Sequence, residues 1–547
     1  MKRFLNLTAF AIAIGFIFAC TPQQNEHTTL SILSTADVHG HVFPWDYYGD
    51  TPDEEHSLLK AATLIDSVRA EKSHILLVDV GDWLQGNPFA EYFARVDTSG
   101  YYPFLQALDY LEYDGVLVGN HEFNFGIPHL NYRKDQTDTP FMAANAVHES
   151  TGEPAYTPYI MREYDGFKVG IIALTTPGSA VWDRPRVEGQ LRFEDGVETA
   201  RTYVEKLYEE GAEVIVMLLH SGFEGNSSYT SESLGAENFG KLIADEIPGI
   251  HAMITSHTHR IIEDMTYISE ANPQGVAVTQ PGRWASHLGY TELNLSRDDN
   301  GEAIVGFGTN RAISVRHAVV HQELSDMLAE DHERVRSYIN ETVATTDSVW
   351  DSSDARLKDS AITDLIQRVQ IEATGADLSS SAIFSTDARF DGGVITRGSL
   401  ASLYPYENTL FTIRLSGAEL REYLEFSARY FEQITEDGQT PQPSGITPGF
   451  NFDVLYGASY TINLRNPVGE RIEGLSYNGR PVQDSDSFTL ALNSYRAVGG
   501  GDYDMIARAE VLDVIDVSVR TLMEEFLLEK GHINPEDVAS PYWNISY

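Results

Sequence analysis

Cysteine and basic residues are scarce in this sequence of 547 residues. The single cysteine, Cys20, excludes an internal disulfide and a zinc cluster built from several cysteines. Lysine and arginine total 38 against 81 acidic residues, which gives a formal net charge of −43. Because phosphate backbones are bound by Lys and Arg, this balance excludes a general surface for nucleic-acid polymers. An anionic small molecule would need a local positive centre.

Apolar runs of membrane-spanning length are also missing beyond the N-terminus. The first residues carry Lys2 and Arg3, then a short apolar run over 9–18, which predicts a secretory signal peptide over residues 1–19. The sequence IFAC ending at Cys20 resembles a bacterial lipobox. We therefore predict lipidation of Cys20, a polar tether over 20–28, and an exported protein in the periplasm or cell envelope that contacts the membrane only through its lipid. An ordinary signal peptide with an incidental cysteine is the alternative.

The length predicts two folded domains, because one hydrophobic core does not organise a chain of this size. Over residues 29–320, apolar runs such as LSILST and HILLVDV alternate with amphipathic stretches. This alternation predicts a layered α/β domain whose sheet is largely buried. A polar segment at 321–350 is predicted to be a helical linker, and residues 351–547 to form a second α/β domain.

Polar residues of metal-binding type follow five of the apolar runs in the first domain. Each occurrence alone is weak, since a lone histidine beside a buried strand is more often a core residue. Their order, each after a predicted strand, makes chance a poor explanation, because side chains at strand ends meet at one edge of a sheet. The residues are Asp37, His39, Asp82, Asn120, His121, His220, His257 and His259.

The mixture of imidazole and carboxylate groups predicts two divalent metal ions, of which zinc, manganese, cobalt and iron are all compatible. Two cations about 3.5 to 4 Å apart need a bridging ligand, and a carboxylate suits that role. Asp82 is the predicted bridge. The remaining ligands are divided into Asp37, His39 and His259 for one ion, and Asn120, His220 and His257 for the other.

His121 directly follows a predicted ligand and has no metal-binding role in this scheme. We predict that it is a catalytic residue that serves a leaving oxygen or stabilises charge in the transition state. Two cations would also lower the pKa of a shared water, so that it could attack phosphorus near neutral pH.

Together these motifs resemble those of the calcineurin-like metallophosphoesterases, and specifically the two-domain 5′-nucleotidase superfamily. The resemblance covers nearly the whole chain after the tether. It implies a layered β-sandwich flanked by helices over 29–320, the helical linker over 321–350, and a 5′-nucleotidase C-terminal substrate-binding domain over 351–547. The nucleotide would sit between the two domains, and catalysis would need their closure.

Several segments look more like the bacterial 2′,3′-cyclic-nucleotide 2′-phosphodiesterase/3′-nucleotidases than like true 5′-nucleotidases. They are DVHGHVFPWDYYGD, GNHEFNFG, SHTHR, YPYENTL, FNFDVLYG and NSYRAVGGGDY. Asn124 stands where 5′-nucleotidases usually carry an aspartate that pairs with the catalytic histidine. His259 ends a motif that usually reads His-x-Gln. Both departures match the cyclic phosphodiesterase branch, and they leave the charge partner of His121 undefined.

In the second domain, the resemblance implies a pair of tyrosines, Tyr406 and Tyr495, that clamp the base. Stacking on an aromatic ring contributes about 1 to 3 kcal/mol and tolerates different bases. Asp502 is predicted to accept hydrogen bonds from the sugar or base. Arg389 lies where the family carries a substrate-contacting arginine, although the residues around it are altered. Arg356 is a further candidate.

The resulting prediction is a dimetal hydrolase that opens 2′,3′-cyclic nucleotides to 3′-nucleotides and dephosphorylates these to nucleosides. One alternative is a 5′-nucleotidase or nucleotide-sugar hydrolase with the same metals. The others are a non-catalytic binding protein of the cell envelope and a hydrolase of sulfur oxidation that shares the architecture. The complete set of ligand residues disfavours the binding protein.

Overall fold

The computed structural model describes residues 27–227, 229, 234–406 and 408–547. The predicted signal peptide, the lipidation site Cys20 and the tether as far as residue 26 lie outside the described residues. Within the described ranges, no helix is long and apolar enough to cross a bilayer.

Two six-stranded sheets form the first domain. In spatial order, the first sheet contains Ala303–Ser314, His287–Arg297, Thr28–Thr35, Ile75–Asp79, Gly115–Leu117 and Phe141–Met142. The second sheet contains Ile261–Tyr267, Val276–Pro281, Ala252–Thr255, Val214–His220, Phe167–Thr175 and Tyr159–Tyr164.

The two sheets stack face to face, and helices cover their outer faces. Ile32 and Val78 of the first sheet pack with Ile171 and Val216 of the second in a fully buried core. The flanking helices are Leu58–Arg69 and Pro103–Tyr110 on the first sheet and Gly196–Glu209 and Gly240–Glu246 on the second. Central strands buried on both faces need continuous apolar sequences, which explains runs such as VIVMLL. The predicted β-sandwich flanked by helices is confirmed.

The central strands run parallel, so that their carboxyl ends share one edge of the sandwich. Ile75–Asp79 is parallel to both Thr28–Thr35 and Gly115–Leu117. In the second sheet, Val214–His220 is parallel to both Phe167–Thr175 and Ala252–Thr255. The loops that leave these ends carry the predicted metal ligands.

Shorter elements of this domain include Pro88–Glu91, His121–Phe123, Ile127–Lys134, Ala146–His148, Ser179–Trp182, Arg184–Val187 and Leu191–Phe193.

Two helices, Gln322–Met327 and Ala329–Ile339, follow the sandwich within the predicted linker of 321–350. They pack on the first domain through Leu324, Leu328 and Val335. The next strand, Thr342–Thr346, already pairs with Gly393–Thr396 of the second domain. The end of the predicted linker is therefore part of the second domain's structure.

The second domain is built on a five-stranded sheet with helices on both faces. Its strands, in spatial order, are Asp453–Tyr456, Leu378–Ala382, Ser487–Asn493, Thr409–Ser416 and Glu510–Ser518. The helices are Ala361–Thr374, Arg397–Leu403, Gly417–Ala428, Ser494–Ala497, Asp504–Ala507 and Val519–Lys530. A smaller sheet contains Arg480–Pro481, Ile472–Tyr477, Ala458–Asn463 and Trp543–Ser546.

A buried ion pair joins the two domains. Arg520 of the second domain contacts Glu91 of the first, and only about a tenth of each side chain is exposed. Arg397 contacts Glu341 of the predicted linker and Glu524 of the second domain itself. The pair of Arg520 and Glu91 thus joins the second domain to the helix Pro88–Glu91, which follows the loop of the predicted ligand Asp82.

Candidate dimetal centre

The predicted ligands come together where the parallel strands end. The first sheet supplies Asp37 and His39 after Thr28–Thr35, and Asp82 after Ile75–Asp79. The second sheet supplies His220 as the last residue of its strand, and its neighbouring strand Ala252–Thr255 leads into the loop with the last two histidines. The centre therefore needs both sheets of the sandwich.

The first group consists of Asp37, His39 and His259, whose ligand atoms all lie within 4.8 Å of one another. The Nε2 atoms of the two histidines are 3.2 Å apart. His259 Nε2 lies 3.6 Å from Asp37 Oδ1. These three donors match the predicted ligands of one ion.

The second group consists of Asp82, His220 and His257, with ligand atoms again within 4.8 Å. His220 Nε2 lies 3.1 Å from Asp82 Oδ2 and 3.0 Å from Asn120 Oδ1. Asp82 Oδ2 also lies 3.9 Å from Nε2 of His39 in the first group. Asp82 is thus placed between the two groups, as a bridging ligand must be.

Hydrogen bonds at the far side of two rings decide which nitrogen faces the centre. His39 Nδ1 lies 2.8 Å from the carbonyl oxygen of Gln85, and His220 Nδ1 lies 2.7 Å from that of Val80. A carbonyl only accepts, so each Nδ1 carries the proton and each Nε2 presents its lone pair to the centre. Such converging lone pairs and carboxylate oxygens fit divalent cations.

Two residues that the sequence did not single out hold the ring of His257. Glu237 Oε1 lies 2.9 Å from His257 Nε2, which leaves Nδ1 as the ligand atom. Trp182 stacks on the opposite side, with ring centroids 5.5 Å apart and an interplanar angle of 25°. Neither residue lies directly at the end of a strand, so the strand-end pattern that found the predicted ligands could not find them.

Backbone strain is concentrated at these ligands. Five of them have the left-handed backbone conformation that residues with a side chain rarely adopt. They are Asp37 (φ 48°), His39 (φ 47°), Asp82 (φ 61°), His257 (φ 70°) and His259 (φ 58°). Close packing also requires Gly119, because a Cβ there would lie 2.3 Å from Asp82 Oδ1 and 2.7 Å from His220 Cε1.

A buried carboxylate, Glu122, organises the loops around the bridge. Its Oε2 accepts the N–H groups of Asp82 and Gly119, at 2.8 and 2.7 Å. Its Oε1 accepts those of Trp83 and Leu84, at 2.8 and 3.0 Å. Burial, followed by the charge of Asp82, raises the pKa of Glu122 to about 7, while the backbone donors act in the opposite direction. Cations bound at Asp82 would offset its repulsion.

The local electrostatics favour cation binding. Burial lowers the pKa of His39 to about 4 and that of His259 to about 2, so both rings are neutral at pH 7 and can coordinate a metal. Burial raises the pKa of Asp82, but His220 and His121 outweigh burial and hold that pKa well below its usual range. Burial likewise lowers the pKa of His220, yet the charge of Asp82 reverses this and raises it to about 10. A cation that binds His220 must therefore displace the proton from Nε2 before that atom can offer its lone pair.

His121 lies at the rim of the centre. Its backbone N–H donates to Asp82 Oδ1 at 2.9 Å, and its ring centroid is 5.2 Å from that of His39. The side chain is partly exposed, as a group that meets a substrate must be. Nδ1 lies 2.7 Å from Asn124 Oδ1. The ring therefore lies beside the predicted ligands, and its catalytic role stays a prediction.

Tyr495 of the second domain interacts electrostatically with Glu237 of the first domain. It lies in the short helix Ser494–Ala497, and a Cβ at Gly500 would be 2.7 Å from its ring. Burial raises the pKa of Tyr495, and Glu237 and Tyr406 raise it further. Tyr495 therefore interacts electrostatically both with its predicted partner Tyr406 and with the carboxylate that contacts His257.

The loop around Tyr495 is fixed by a buried ion pair. Arg496 Nε donates to Asp453 Oδ2 at 2.6 Å, and Arg496 Nη2 donates to Asp453 Oδ1 at 2.8 Å. Asn493 caps the short helix by accepting the N–H of Arg496 at 2.8 Å. Both members of the ion pair are almost fully buried. This ion pair fixes the short helix that carries Tyr495.

Tyr406 packs edge to face on Phe384, with ring centroids 5.2 Å apart. Arg356 donates to the carbonyl oxygen of Phe384 at 3.5 Å and to that of Ile383 at 3.0 Å. Burial raises the pKa of Tyr406, and Arg283 lowers it. Arg356 therefore binds the backbone of the residue whose ring packs on Tyr406.

The two remaining predicted substrate residues are placed differently. Asp502 is exposed, has a positive φ of 66° and lies in the glycine-rich loop beyond Tyr495. Arg389 is exposed on the strand Arg389–Phe390, and its guanidinium group is 2.7 Å from Asp391 and 3.1 Å from Asp351. Among the described residues, no contact joins Arg389 to the tyrosines or the ligands, so its substrate role stays a prediction.

Arg283 was not predicted from the sequence but lies at the centre. Its Nη1 is 3.2 Å from His259 Nδ1, and its guanidinium carbon is 4.1 Å from the centroid of the Trp284 ring. Trp284 and Ala285 both have positive φ, of 60° and 52°. Trp284 also stacks on His41, at 4.9 Å. A strained loop thus carries an exposed cation beside a predicted ligand.

Comparison with known families matches both domains. Residues 30–260 match the calcineurin-like phosphoesterase family, and residues 342–508 match the 5′-nucleotidase C-terminal domain. The 2′,3′-cyclic-nucleotide 2′-phosphodiesterase/3′-nucleotidase of Haemophilus influenzae is 31% identical, with 91% of this chain and 84% of the relative covered. The chain belongs to the two-domain 5′-nucleotidase superfamily. As a superfamily member with this donor set, it is a phosphoric ester hydrolase.

Two further superfamily relatives define the extent of the similarity. The trifunctional nucleotide phosphoesterase of Bacillus subtilis is 29% identical over 94% of this chain, which spans 39% of that longer protein. A Staphylococcus aureus structure, provisionally named a 5′-nucleotidase, matches with a TM-score of 0.80 and 26% identity. That match covers 95% of this chain and 100% of the other. The arrangement of both domains is thus shared with a solved structure.

Proposed function

We propose that this hydrolase opens 2′,3′-cyclic nucleotides to 3′-nucleotides and then removes the 3′-phosphate. The observation that carries the proposal is the pair of ligand groups with Asp82 between them, and Tyr495 of the second domain interacts electrostatically with Glu237, which contacts the predicted ligand His257. A base held by the tyrosines would therefore present its phosphate to the predicted metal centre. The names of the Haemophilus influenzae relative and of similar relatives support the cyclic and 3′ specificity.

Each predicted residue has a defined task in this reaction. The two groups of ligands would hold two divalent cations, which would supply Lewis acidity to a phosphoryl oxygen and lower the pKa of the attacking water. Asp82 bridges the two groups of ligands, and His121 Nε2 faces the leaving oxygen. Tyr406 and Tyr495 hold the base. Both steps of the proposed sequence use the same attack on phosphorus, so one centre suffices.

The test is a side-by-side assay of 2′,3′-cyclic AMP, 3′-AMP and 5′-AMP, with Tyr495→Ala as the matched variant. We expect turnover of the first two substrates to dominate. Loss of stacking, at about 1 to 3 kcal/mol, should raise KM for nucleotides roughly 5- to 160-fold. Hydrolysis of p-nitrophenyl phosphate, which has no base, should be unchanged. Dominant turnover of 5′-AMP would instead identify a 5′-nucleotidase.

We also propose that the native ions are two among zinc, manganese, cobalt and iron. The mixed nitrogen and oxygen donors of the two groups support this range. Removal of metal by a chelator should abolish activity, and addition of each ion separately should identify the one that restores the highest kcat. Full activity after verified metal removal would refute a metal-dependent mechanism.

For its cellular location, we propose export and attachment to the membrane through lipidated Cys20. The support comes from the sequence, in which the lipobox-like IFAC follows a short apolar run. A Cys20→Ser variant should move from the membrane fraction to the soluble fraction and lose incorporation of labelled fatty acid. Equal membrane association of both proteins would contradict the anchor.

A further inference from the structure

The predicted catalytic histidine has an amide as its direct partner. His121 Nδ1 lies 2.7 Å from Asn124 Oδ1, at the position where a carboxylate would pair with the ring in 5′-nucleotidases. An amide carries no charge, so Asn124 alone stabilises a positively charged imidazole less than a carboxylate does. A compensating negative group should therefore lie further along the hydrogen-bond chain.

That group is the carboxylate of Asp183. Asn124 Nδ2 donates to Asp183 Oδ1 at 2.7 Å, so the three side chains form a continuous chain from the ring to a carboxylate. Asp183 is 7% exposed and lies between the short helices Ser179–Trp182 and Arg184–Val187. The preceding residue, Trp182, stacks on the predicted ligand His257. One segment thus contacts both the predicted metal centre and the partner of His121.

The chemistry of Asp183 determines the orientation of every member of the chain. An ionised carboxylate only accepts hydrogen bonds, so the NH2 group of Asn124 must face Asp183 and its oxygen must face His121. The Nδ1 atom of His121 must then carry a proton. Nε2 is the remaining nitrogen, and it is left to serve the leaving oxygen.

We propose that Asp183 is the positioning carboxylate of His121 and acts through the amide of Asn124. It fixes the tautomer and orientation of the ring, so that Nδ1 donates to Asn124 and Nε2 is left to serve the leaving oxygen. This hydrogen-bond relay of His121, Asn124 and Asp183 replaces the direct carboxylate partner that the sequence lacks at position 124. The proposal rests on the predicted catalytic role of His121.

The first experiment compares Asp183→Asn with the wild-type protein. An asparagine at 183 can donate as well as accept, so the amide of Asn124 is free to turn and the ring loses its fixed tautomer. We expect kcat for 3′-AMP to fall on the order of 10- to 100-fold, the usual effect of losing a group that orients a reacting residue. KM should change less than about twofold, because Asp183 does not contact the substrate. Asp135→Asn, at an exposed site in the same domain, is the matched control and should retain wild-type kinetics.

A series of aryl phosphates distinguishes positioning from a structural role. A leaving group as stable as p-nitrophenolate needs no proton, so Asp183→Asn should hydrolyse p-nitrophenyl phosphate at nearly the wild-type rate. Phenyl phosphate, with a poorer leaving group, should show a large loss. This comparison does not require nucleotide specificity, so it stays decisive if the nucleotide assay fails. An equal loss across the series, or a loss of bound metal, would overturn the proposal.

Rescue by a direct partner provides the second experiment. In the double variant Asn124→Asp with Asp183→Asn, a carboxylate again contacts His121 Nδ1. We expect its kcat for 3′-AMP to exceed that of Asp183→Asn at least severalfold, with equal thermal stability and metal content. A double variant as slow as Asp183→Asn would overturn the relay, as would wild-type kcat in Asp183→Asn itself.

Discussion

Replacement of the buried carboxylate Glu122 by glutamine tests how the loops of the centre are held. The four N–H groups that the carboxylate accepts come from the loops of Asp82 and Gly119. Glutamine has nearly the same shape but presents one oxygen and one NH2 group. Because each carboxylate oxygen accepts two N–H groups, either orientation of the amide leaves two donors without an acceptor.

The expected destabilisation follows from that count. A hydrogen bond to a charged acceptor contributes about 1.5 to 3 kcal/mol, so the loss of two costs about 3 to 6 kcal/mol. A folded domain is stable by only about 5 to 15 kcal/mol. Glu122→Gln should therefore lose a large part of the stability of the first domain. Because Asp82 is held directly by this carboxylate, the variant should also bind metal more weakly.

Urea unfolding, followed by tryptophan fluorescence, measures this effect. Trp83 is fully buried next to Glu122 and stacks on Phe104 at 5.2 Å, so it reports on the same loop. Glu372→Gln is the control, since its partly exposed pair with Arg368 should contribute about 0 to 1 kcal/mol. Equal midpoints and slopes for Glu122→Gln and the wild type, with full metal content, would refute the reasoning.

Three further predictions follow from other sites. Asp82→Ala should lose both metal and activity while its circular dichroism stays native; substantial residual turnover would contradict the bridging role. Arg283→Ala should raise KM for phosphate esters roughly 10- to 160-fold, because a charged hydrogen bond contributes about 1.5 to 3 kcal/mol; an unchanged KM would exclude a substrate contact. Burial and the charge of Asp359 raise the pKa of Asp364 from 3.8 to about 8. The contribution of Asp364 to the free energy of unfolding is complete below pH 3.8 and is lost as the pH rises through about 8. Asp364→Asn should therefore show a smaller decline of Tm between these pH values than the wild type. Equal declines in the two proteins would contradict the raised pKa of Asp364.

The ligands could be predicted from the sequence because each directly follows, or ends, a buried parallel strand. A strand that is buried on both faces leaves an unmistakable apolar run, as VIVMLL does before His220. The end of that run gives the position of the ligand to within a few residues. The topology then brings the five ends to one edge, which the alternation of strands and helices already implied.

Residues that act on the ligands from outside the strand ends were not predictable in this way. Asp183 and Glu237 lie in irregular segments, and their contacts with Asn124 and His257 span 59 and 20 positions of the chain. No periodic pattern marks such contacts, since they depend on how distant loops pack. Arg389 was predicted from its position in a motif. The motif did not reveal that Asp351 and Asp391 bind its guanidinium group.

The left-handed conformations at Asp37, Asp82 and His257 make the stability of the folded protein depend on the concentration of free divalent cations. Each such residue costs on the order of 1 to 3 kcal/mol in the native state, whereas the unfolded chain is free of that cost. Cations that bind only the native arrangement shift the folding equilibrium towards it by mass action. Wherever this protein resides, the concentration of free divalent ions is thus expected to control its lifetime as well as its turnover.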